Sequence, residues 1–337
     1  MSLTASPTPA APAPARSPVA WVLAVVLVAA AASAVVTASV LSAPAVPGGP
    51  IVITDDLGRT VHLAPDPARV VALGPNIVDM MVSLGLRADL VGVDCYNSTT
   101  AGGLASDYTP AQIAAWSLTA SMCVEALPFV PATLANLTPD LVLASTIVSI
   151  GQVEQATGVL GIPFVVLQPA TLSGILLDDV LLGEIFDQPA RVATLNAQLS
   201  SELYNASQVV QAAATLPTVL VTYSVDAGGY WTFGPGSFGQ SLVDFAGGAS
   251  IGAGATTPYP ELSASQVLAA QPQLIVYAVG FGIGLSTYQG GPQWSSFSAV
   301  EHGNLTAIDS TWLTEPGPTM ILSGLPALLA AFHPASS

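Results

Sequence analysis

Residues 171–215 read TLSGILLDDVLLGEIFDQPARVATLNAQLSSELYNASQVVQAAAT. No Gly follows Gly183, and Pro189 is the only internal Pro. From there apolar residues fall at Val192, Leu195, Leu199, Leu203, Ala206, Val210 and Ala213. This is a helical period with a single apolar stripe. At 1.5 Å per residue, the part after Pro189 reaches roughly 35–40 Å, the width of a small domain. Regions of comparable length, 51–170 and 216–337, flank the stretch, and in both the strand and helix patterns alternate. A packed helix between them acts as a stiff strut, where a Gly/Ser linker would let them tumble. The expectation is an α/β protein of two lobes joined by a single long helix over 171–215, with the functional cleft between the lobes. A surface helix on one large domain fits the same pattern.

The 337 residues include five Arg, no Lys and 21 Asp plus Glu, and only 8% are charged. Five scattered Arg build no basic patch, so nucleic acid is not an expected partner. A hydrophobic content of 51%, arranged in regular runs, buries a core and excludes disorder of the whole chain. The scarcity of ionisable groups suits an acidic exterior, where carboxylates protonate and charge pairs fail.

Residues 1–18 are rich in Pro, Ala, Ser and Thr and carry one charge, Arg16, which predicts a disordered tail. Residues 19–43 form an uncharged apolar run of 25 residues, long enough to span a bilayer. An uncleaved anchor is expected; Ala32-Ser33-Ala34 offers a cleavage site for the alternative, a removable signal. No Cys adjoins the run, so there is no lipid attachment point. Arg16 precedes the run and the next basic residue is Arg59, which places the folded part outside, at the cell surface. Residues 44–50 (PAVPGGP) form a linker. Four Asn-x-Ser/Thr sequons, at Asn97, Asn136, Asn205 and Asn304, accompany such an exported chain as glycosylation candidates.

In the first lobe, 51–63 predicts a hairpin around Asp55-Asp56-Leu57-Gly58. Strands follow at 69–73, 90–94, 141–144 and 164–167, with a helix at 77–84 closed by Gly85 and another ending near 160. This alternation predicts a parallel sheet. Residues 95–130 read as loop and carry both cysteines. In the second lobe, strands are expected at 218–225, 230–233, 274–279 and 305–308, and helices at 237–246, 263–270 and 320–332.

Gly234-Pro235-Gly236-Ser237-Phe238-Gly239 matches G-x-G-x-x-G between a strand and a helix. Pro235 sits in the turn and no acidic ribose partner follows at the usual distance, so a tight turn lining a cleft is preferred to a dinucleotide site. Cys95 and Cys123 are an even pair outside the cell and suggest a disulfide, with thiolate metal ligation as the alternative. A bridge closing this loop would contribute roughly 3–4 kcal/mol by the chain-entropy argument. His62, His302 and His333 show no ligand spacing, and no metal site or cofactor is expected. There is no G-x-S-x-G elbow, and no Cys stands beside a His. Asp55-Asp56 and Asp178-Asp179 read as solvated turn and helix positions, so no catalytic residue and no enzyme activity are expected. Aromatics are more suggestive. Tyr96, Tyr230, Trp231, Tyr259 and Trp312 stand at or near strand ends, which face the ligand crevice of open α/β sheets. Rings there stack on a large planar or apolar ligand; core packing explains each one singly as well.

A set of short motifs then falls in a telling order. They are TDDLGRT (54–60), RVVALGP (69–75), LVGVD (90–94), LTPDLVL (137–143), LGIP (160–163), LGE (182–184), GPGSF (234–238), AGG (246–248) and EPGP (315–318). In this order and spacing, over nearly the whole exported part, the chain resembles the ABC-importer binding proteins that carry cobalamin, haem and ferric siderophores. The resemblance implies two Rossmann-like lobes, ligand capture without chemistry, and little hinge motion. It implies a cobalt- or iron-containing chelate as ligand, cobalamin first, and an ABC permease in the membrane as partner. By position, Tyr96, Trp231, Tyr259 and Trp312 match the ligand-lining sites of such proteins. Two departures stand out. Relatives often carry a Glu on each lobe that docks on permease Arg residues; the matching positions here are Ala132 and Ser265, with Glu125 and Glu261 nearby. Many relatives also have Arg in the Pro-Gly-Pro segment, where this chain has Glu315 and Thr319, which argues against a carboxylate- or catecholate-rich siderophore. A surface adhesion or scaffold module that kept the fold without transport is the alternative. An enzyme working in the two-lobed cleft ranks below both.

Overall fold

Residues 49–95, 103–126 and 129–334 are described in the structure, a computed structural model. The tail, the apolar run 19–43 and most of the linker lie outside the described residues, as do Tyr96 and Asn97. Among the described residues, no helix is long and apolar enough to cross a membrane.

The chain enters through a hairpin, β1 (Ile51–Thr54) and β2 (Thr60–Leu63), antiparallel in register. Its turn is built on Asp55, whose carboxylate accepts from the Leu57 and Arg59 backbone N–H groups and from the Arg59 guanidinium. The same carboxylate accepts from Val166 N, which ties the hairpin to the sheet.

The first lobe holds a five-stranded parallel sheet. Its strands are β3 (Val70–Leu73), β4 (Leu90–Cys95), β5 (Cys123–Glu125), β6 (Leu141–Ala144) and β7 (Phe164–Val166), in the order β5-β4-β3-β6-β7. Its helices are α1 (Pro75–Ser83), α2 (Pro110–Ala115), α3 (Pro131–Asn136) and α4 (Ile150–Leu160). β3 and β6 are fully buried, consistent with unbroken apolar runs covered on both faces. The segment that reads as loop between the cysteines contains α2, whose Thr109 and Gln112 form a capping box, and the edge strand β5. Cys95, at the end of β4, is disulfide-bonded to Cys123, at the start of β5, with Cα atoms 5.5 Å apart.

The single helix expected over 171–215 is two helices, α5 (Leu172–Ile185) and α6 (Pro189–Ala212). The break follows from Pro189, which disfavours helical backbone before it, and Asp187 turns with φ 48°. α6 and α5 fold back on each other, and Asn196 Nδ2 donates to Leu176 O at 2.9 Å. α6 alone carries the predicted stripe, buried at Val192, Leu195, Leu199, Leu203 and Ala206. It is the strut: at its start Arg191 donates to the Leu84 and Gly85 carbonyls, and near its end Val210 lies against Gly247.

The second lobe has a mixed sheet. Its strands are β8 (Thr218–Val225), β9 (Tyr230–Thr232), β10 (Ala249–Ser250), β11 (Glu261–Leu262), β12 (Leu274–Val279) and β13 (Leu305–Asp309), ordered β11-β9-β8-β12-β13 with β10 on β8. β8, β12 and β13 are parallel, while β9 runs against β8. The helices are α7 (Phe238–Phe245), α8 (Ala264–Ala270), α9 (Leu285–Gln289), α10 (Ser298–Glu301), α11 (Ser310–Thr314) and α12 (Leu325–Phe332). A π-helical turn, Met320–Gly324, leads straight into α12. Tyr230, Tyr277, Tyr288, Trp294 and Phe297 stack into an aromatic core. Tyr230 is therefore a packing residue.

Candidate functional site: the seam between the lobes

In the first lobe the strand order reverses between β3 and β6, the place where open α/β sheets form a crevice beyond their carboxyl ends. Gly74 follows β3 with φ 146°, and a Cβ there would stand 2.6 Å from Ser145 Oγ, just past β6. The second lobe repeats the contact: Gly280 follows β12 with φ 136°, and its Cβ would stand 2.7 Å from Ser310 Oγ, just past β13. Only Gly combines this backbone with so close a neighbour. The segment 315–319 of the second lobe meets α1 and α2 of the first. Gln112 Nε2 of α2 donates to Glu315 Oε2 at 2.9 Å. Thr319 donates its N–H and its hydroxyl to the two oxygens of Asp79, on α1, at 2.8 and 2.7 Å.

The seam is rich in carboxyl groups. Burial pushes Asp79 up to about 6, in spite of its bonds to Thr319 and Ser83. Burial also pushes Asp94, at the end of β4, up to about 7, while the buried Tyr108 hydroxyl donates to it. Glu315 is raised well above the usual range by burial, opposed by Gln112 and reinforced by Asp79, Asp94 and Asp309. Asp178 and Asp179 are buried on α5, not solvated as their sequence suggests. Burial raises Asp179 strongly, with Asp79 adding to it, and raises Asp178 to about 9, with Asp56 and Asp179 adding to it. Basic groups are elsewhere. Arg59 pairs with Asp55, Arg69 bonds the 137 and 138 carbonyls, Arg87 the 116 and 117 carbonyls, and Arg191 those of 84 and 85. Asn76 Nδ2 and Ser310 Oγ are buried here without a hydrogen-bond partner among the described residues. Such groups retain bonding capacity for a ligand or water.

Sequence reasoning singled out Glu315 and Thr319 but missed Asp79, Tyr108 and Gln112. The available signal was Asp79 itself, one acid inside the apolar helical run IVDMMV.

The aromatic candidates are dispersed. Trp231 lies on β9 and its Nε1 donates to Asp226 Oδ2 at 2.9 Å. Tyr259 is 41% exposed and packs edge-on to Phe233 and tilted on Phe238. Trp312 is half-buried on α11, its backbone against Gly324. Among the described residues, no ring contact joins Trp231, Tyr259 and Trp312 to one another. The Gly234–Gly239 turn is closed: Ser237 Oγ caps α7 by accepting from Gln240 N and donating to Gly234 O. That leaves no open helix terminus for a pyrophosphate. His302 and His333 bond the Ser298 and Ala246 carbonyls. Among the described residues, no cluster of His, Cys, Asp and Glu could hold a metal ion. A groove of about 520 Å³ between α3 and α4, lined by Phe129, Ala132, Ala135, Ala156 and Val159, lies within the first lobe. Asn136 and Asn205 are exposed, while Asn304 Nδ2 donates to Gln273 O at 3.1 Å.

Residues 70–311 match the family described as "Periplasmic binding protein". The chain belongs to the periplasmic binding protein family. Among solved structures it is similar to an ABC-type Fe3+-hydroxamate transport system of Saccharomonospora viridis, 19% identical, with a TM-score of 0.66 over 84% of this chain and 99% of that one. The similarity at this identity is one of fold: two α/β lobes. Among characterised relatives, a cobalamin-binding protein of Halobacterium salinarum is 25% identical over 291 residues, 84% of this chain and 74% of the relative. A vitamin B12-binding protein of Pectobacterium atrosepticum is 26% identical over 268 residues, 76% and 86% of the two chains. The relatives of this periplasmic binding protein are thus themselves binding proteins.

Proposed function

We propose that the chain is an extracytoplasmic binding protein that captures a metal chelate, cobalamin first, and delivers it to an ABC importer. The observation that carries this reading is the similarity to cobalamin-binding proteins across most of both partners' lengths. Residues 19–43 tether the folded part to the outer side of the membrane. The ligand is desolvated between the preformed lobes and stacks on Tyr96, Trp231, Tyr259 and Trp312. The electrostatics of the seam support this order of ligands. None of the four described Arg bonds into it, so the propionates of haem or a catecholate siderophore find no counter-charge there. The neutral amides of a corrinoid find instead Asn76, Gln112 and Ser310.

The test is a tryptophan-fluorescence titration of the full chain in mild detergent, with cyanocobalamin, haem and a ferric hydroxamate, against protein-free controls. Saturable quenching by cyanocobalamin at submicromolar concentration, weakened at least tenfold in Trp231→Ala or Trp312→Ala, is expected. Absence of a saturable response to all three ligands would overturn the chelate assignment.

A second reading rests on one observation. The positions where relatives carry permease-docking carboxylates are here Ala132 and Ser265, both exposed. A scaffold that kept the fold without transport accounts for that loss, and it leads if no chelate binds.

A further inference from the structure

The segment 315–319 of the second lobe meets the first lobe at two points, and each is centred on a carboxyl group. At one, Glu315 accepts from Gln112 of α2; at the other, Asp79 of α1 accepts two bonds from Thr319. A Cβ on Gly317, between them, would stand 2.5 Å from Asp79 Oδ2 and 3.1 Å from Asn76 O, so the lobes are in direct contact here. The groups facing Glu315 are Gln112 and Tyr108 from the α2 region, Asp94 from β4, Asp79 from α1 and Asp309 from β13. Those facing Asp79 are Thr319, Ser83 on its own helix, and Asp179 from α5. All the titratable members are acids. Asp179 is fully buried, and neither of its carboxyl oxygens has a hydrogen-bond partner among the described residues. A carboxylate cannot sit so without a cation or donors, whereas a neutral acid can.

We propose that the seam is a proton-operated latch: with Asp79 and Glu315 protonated the lobes are held together, and loss of these protons loosens the contact of 315–319 with α1 and α2. Once charged, each carboxylate is repelled by its acidic neighbours, buried Asp79 is denied water, and among the described residues no Arg or His relieves either. Parting the lobes rehydrates the charges. The raised values of Asp79, Asp94 and Glu315 agree in direction. Thus the latch closes in acid and relaxes as the medium approaches and passes neutrality. It needs no ligand, and it stands or falls apart from the identity of the cargo.

Amide hydrogen exchange on the ligand-free full chain in mild detergent tests it, with rates corrected for their intrinsic pH dependence. Peptides covering 75–83 and 313–320 are compared with a reference peptide from 195–206 on α6. Protection of the seam peptides is expected to fall about tenfold or more between pH 4.5 and 8, since each pKa unit is a tenfold change in the protonation equilibrium. The reference peptide stays unchanged. In Asp79→Asn/Glu315→Gln the seam peptides stay protected at both pH values, because the amides keep the hydrogen bonds without the charge. If the double variant does not fold, Glu315→Gln alone should flatten the response of 313–320. Seam protection that is flat in the wild-type chain, or a pH response that survives the substitutions, would overturn the proposal.

Discussion

Asp55 and Asp79 are each about 4% exposed, the first in the entry hairpin and the second deeper in the seam, and they respond to their surroundings in opposite directions. For Asp55, burial raises the carboxyl, but the Arg59 guanidinium and the Arg59 and Val166 N–H groups outweigh it and hold it below its usual 3.8. For Asp79, burial wins and two bonds from neutral Thr319 do not offset it. A cation, two backbone donors and a shallower burial separate the two cases. The hairpin turn is built around a charge and the seam around protons. The first is an element of architecture that acid weakens; the second is an element that acid tightens.

The largest expected effect comes from breaking the charged site. Asp55→Ala strands the Arg59 guanidinium beside Phe164 and leaves the N–H groups of Leu57, Arg59 and Val166 without an acceptor. The pair is part-buried, with the Arg59 side chain 27% exposed, and its loss together with three stranded N–H groups costs about 3–5 kcal/mol, so the denaturant midpoint at pH 7 should fall accordingly. The wild-type contribution is present above the ordinary carboxylate value and fades as the pH falls through the lowered folded value. An effect under about 1 kcal/mol would mean that Arg59 does not separate the two sites.

Asp79→Asn probes the other side, and its sign changes with pH. A folded value near 6 against 3.8 unfolded means that the folded chain holds an extra proton between those values. Its stabilising effect is complete below pH 3.8 and is lost as the pH rises through 6. The difference corresponds to about 3 kcal/mol at pH 8. Asp79→Asn should therefore be near neutral at pH 4 and stabilise by up to about 3 kcal/mol at pH 8, read as the shift in denaturation midpoint. A substitution that destabilises equally at both pH values would make Asp79 an ordinary hydrogen-bond acceptor.

What the sequence discloses follows the range of the interactions involved. β6 and β12 are continuous apolar runs and β8 is rich in β-branched residues, and the bounds of all three in the structure coincide with the predicted ones. The stripe of α6 is equally local. β5, α2 and α3 are short, lie among Gly, Ser and Thr, and take their order from β4 and the disulfide, so nothing local marks them. Pro189 advertises a break, yet the left-handed turn at Asp187 that reverses the chain does not show in residue type. The candidate seam was least legible. Thr319 is 240 positions from Asp79, and Glu315 is 203 from Gln112. An acid in an apolar helix reads as a solvated position until a distant segment covers it.

A neutral buried cap supplies the control that both carboxylates need. Ser237 is 3% exposed, and its hydroxyl both donates to Gly234 O at 2.8 Å and accepts from Gln240 N at 3.1 Å. Neither bond involves a titrating group, and the site is held as firmly in acid as in base. Ser237→Ala removes an N-cap and leaves the Gln240 N–H unpaired, while Gly234 O keeps the Ser237 N–H, which costs about 1 kcal/mol. The loss should be the same at pH 4, 6 and 8. Equal loss at each pH would show that the opposite slopes at Asp55 and Asp79 belong to those carboxyls. A loss that grew with pH would instead mean that the second lobe loosens as a whole, and the contrast between hairpin and seam would then reduce to one between lobes.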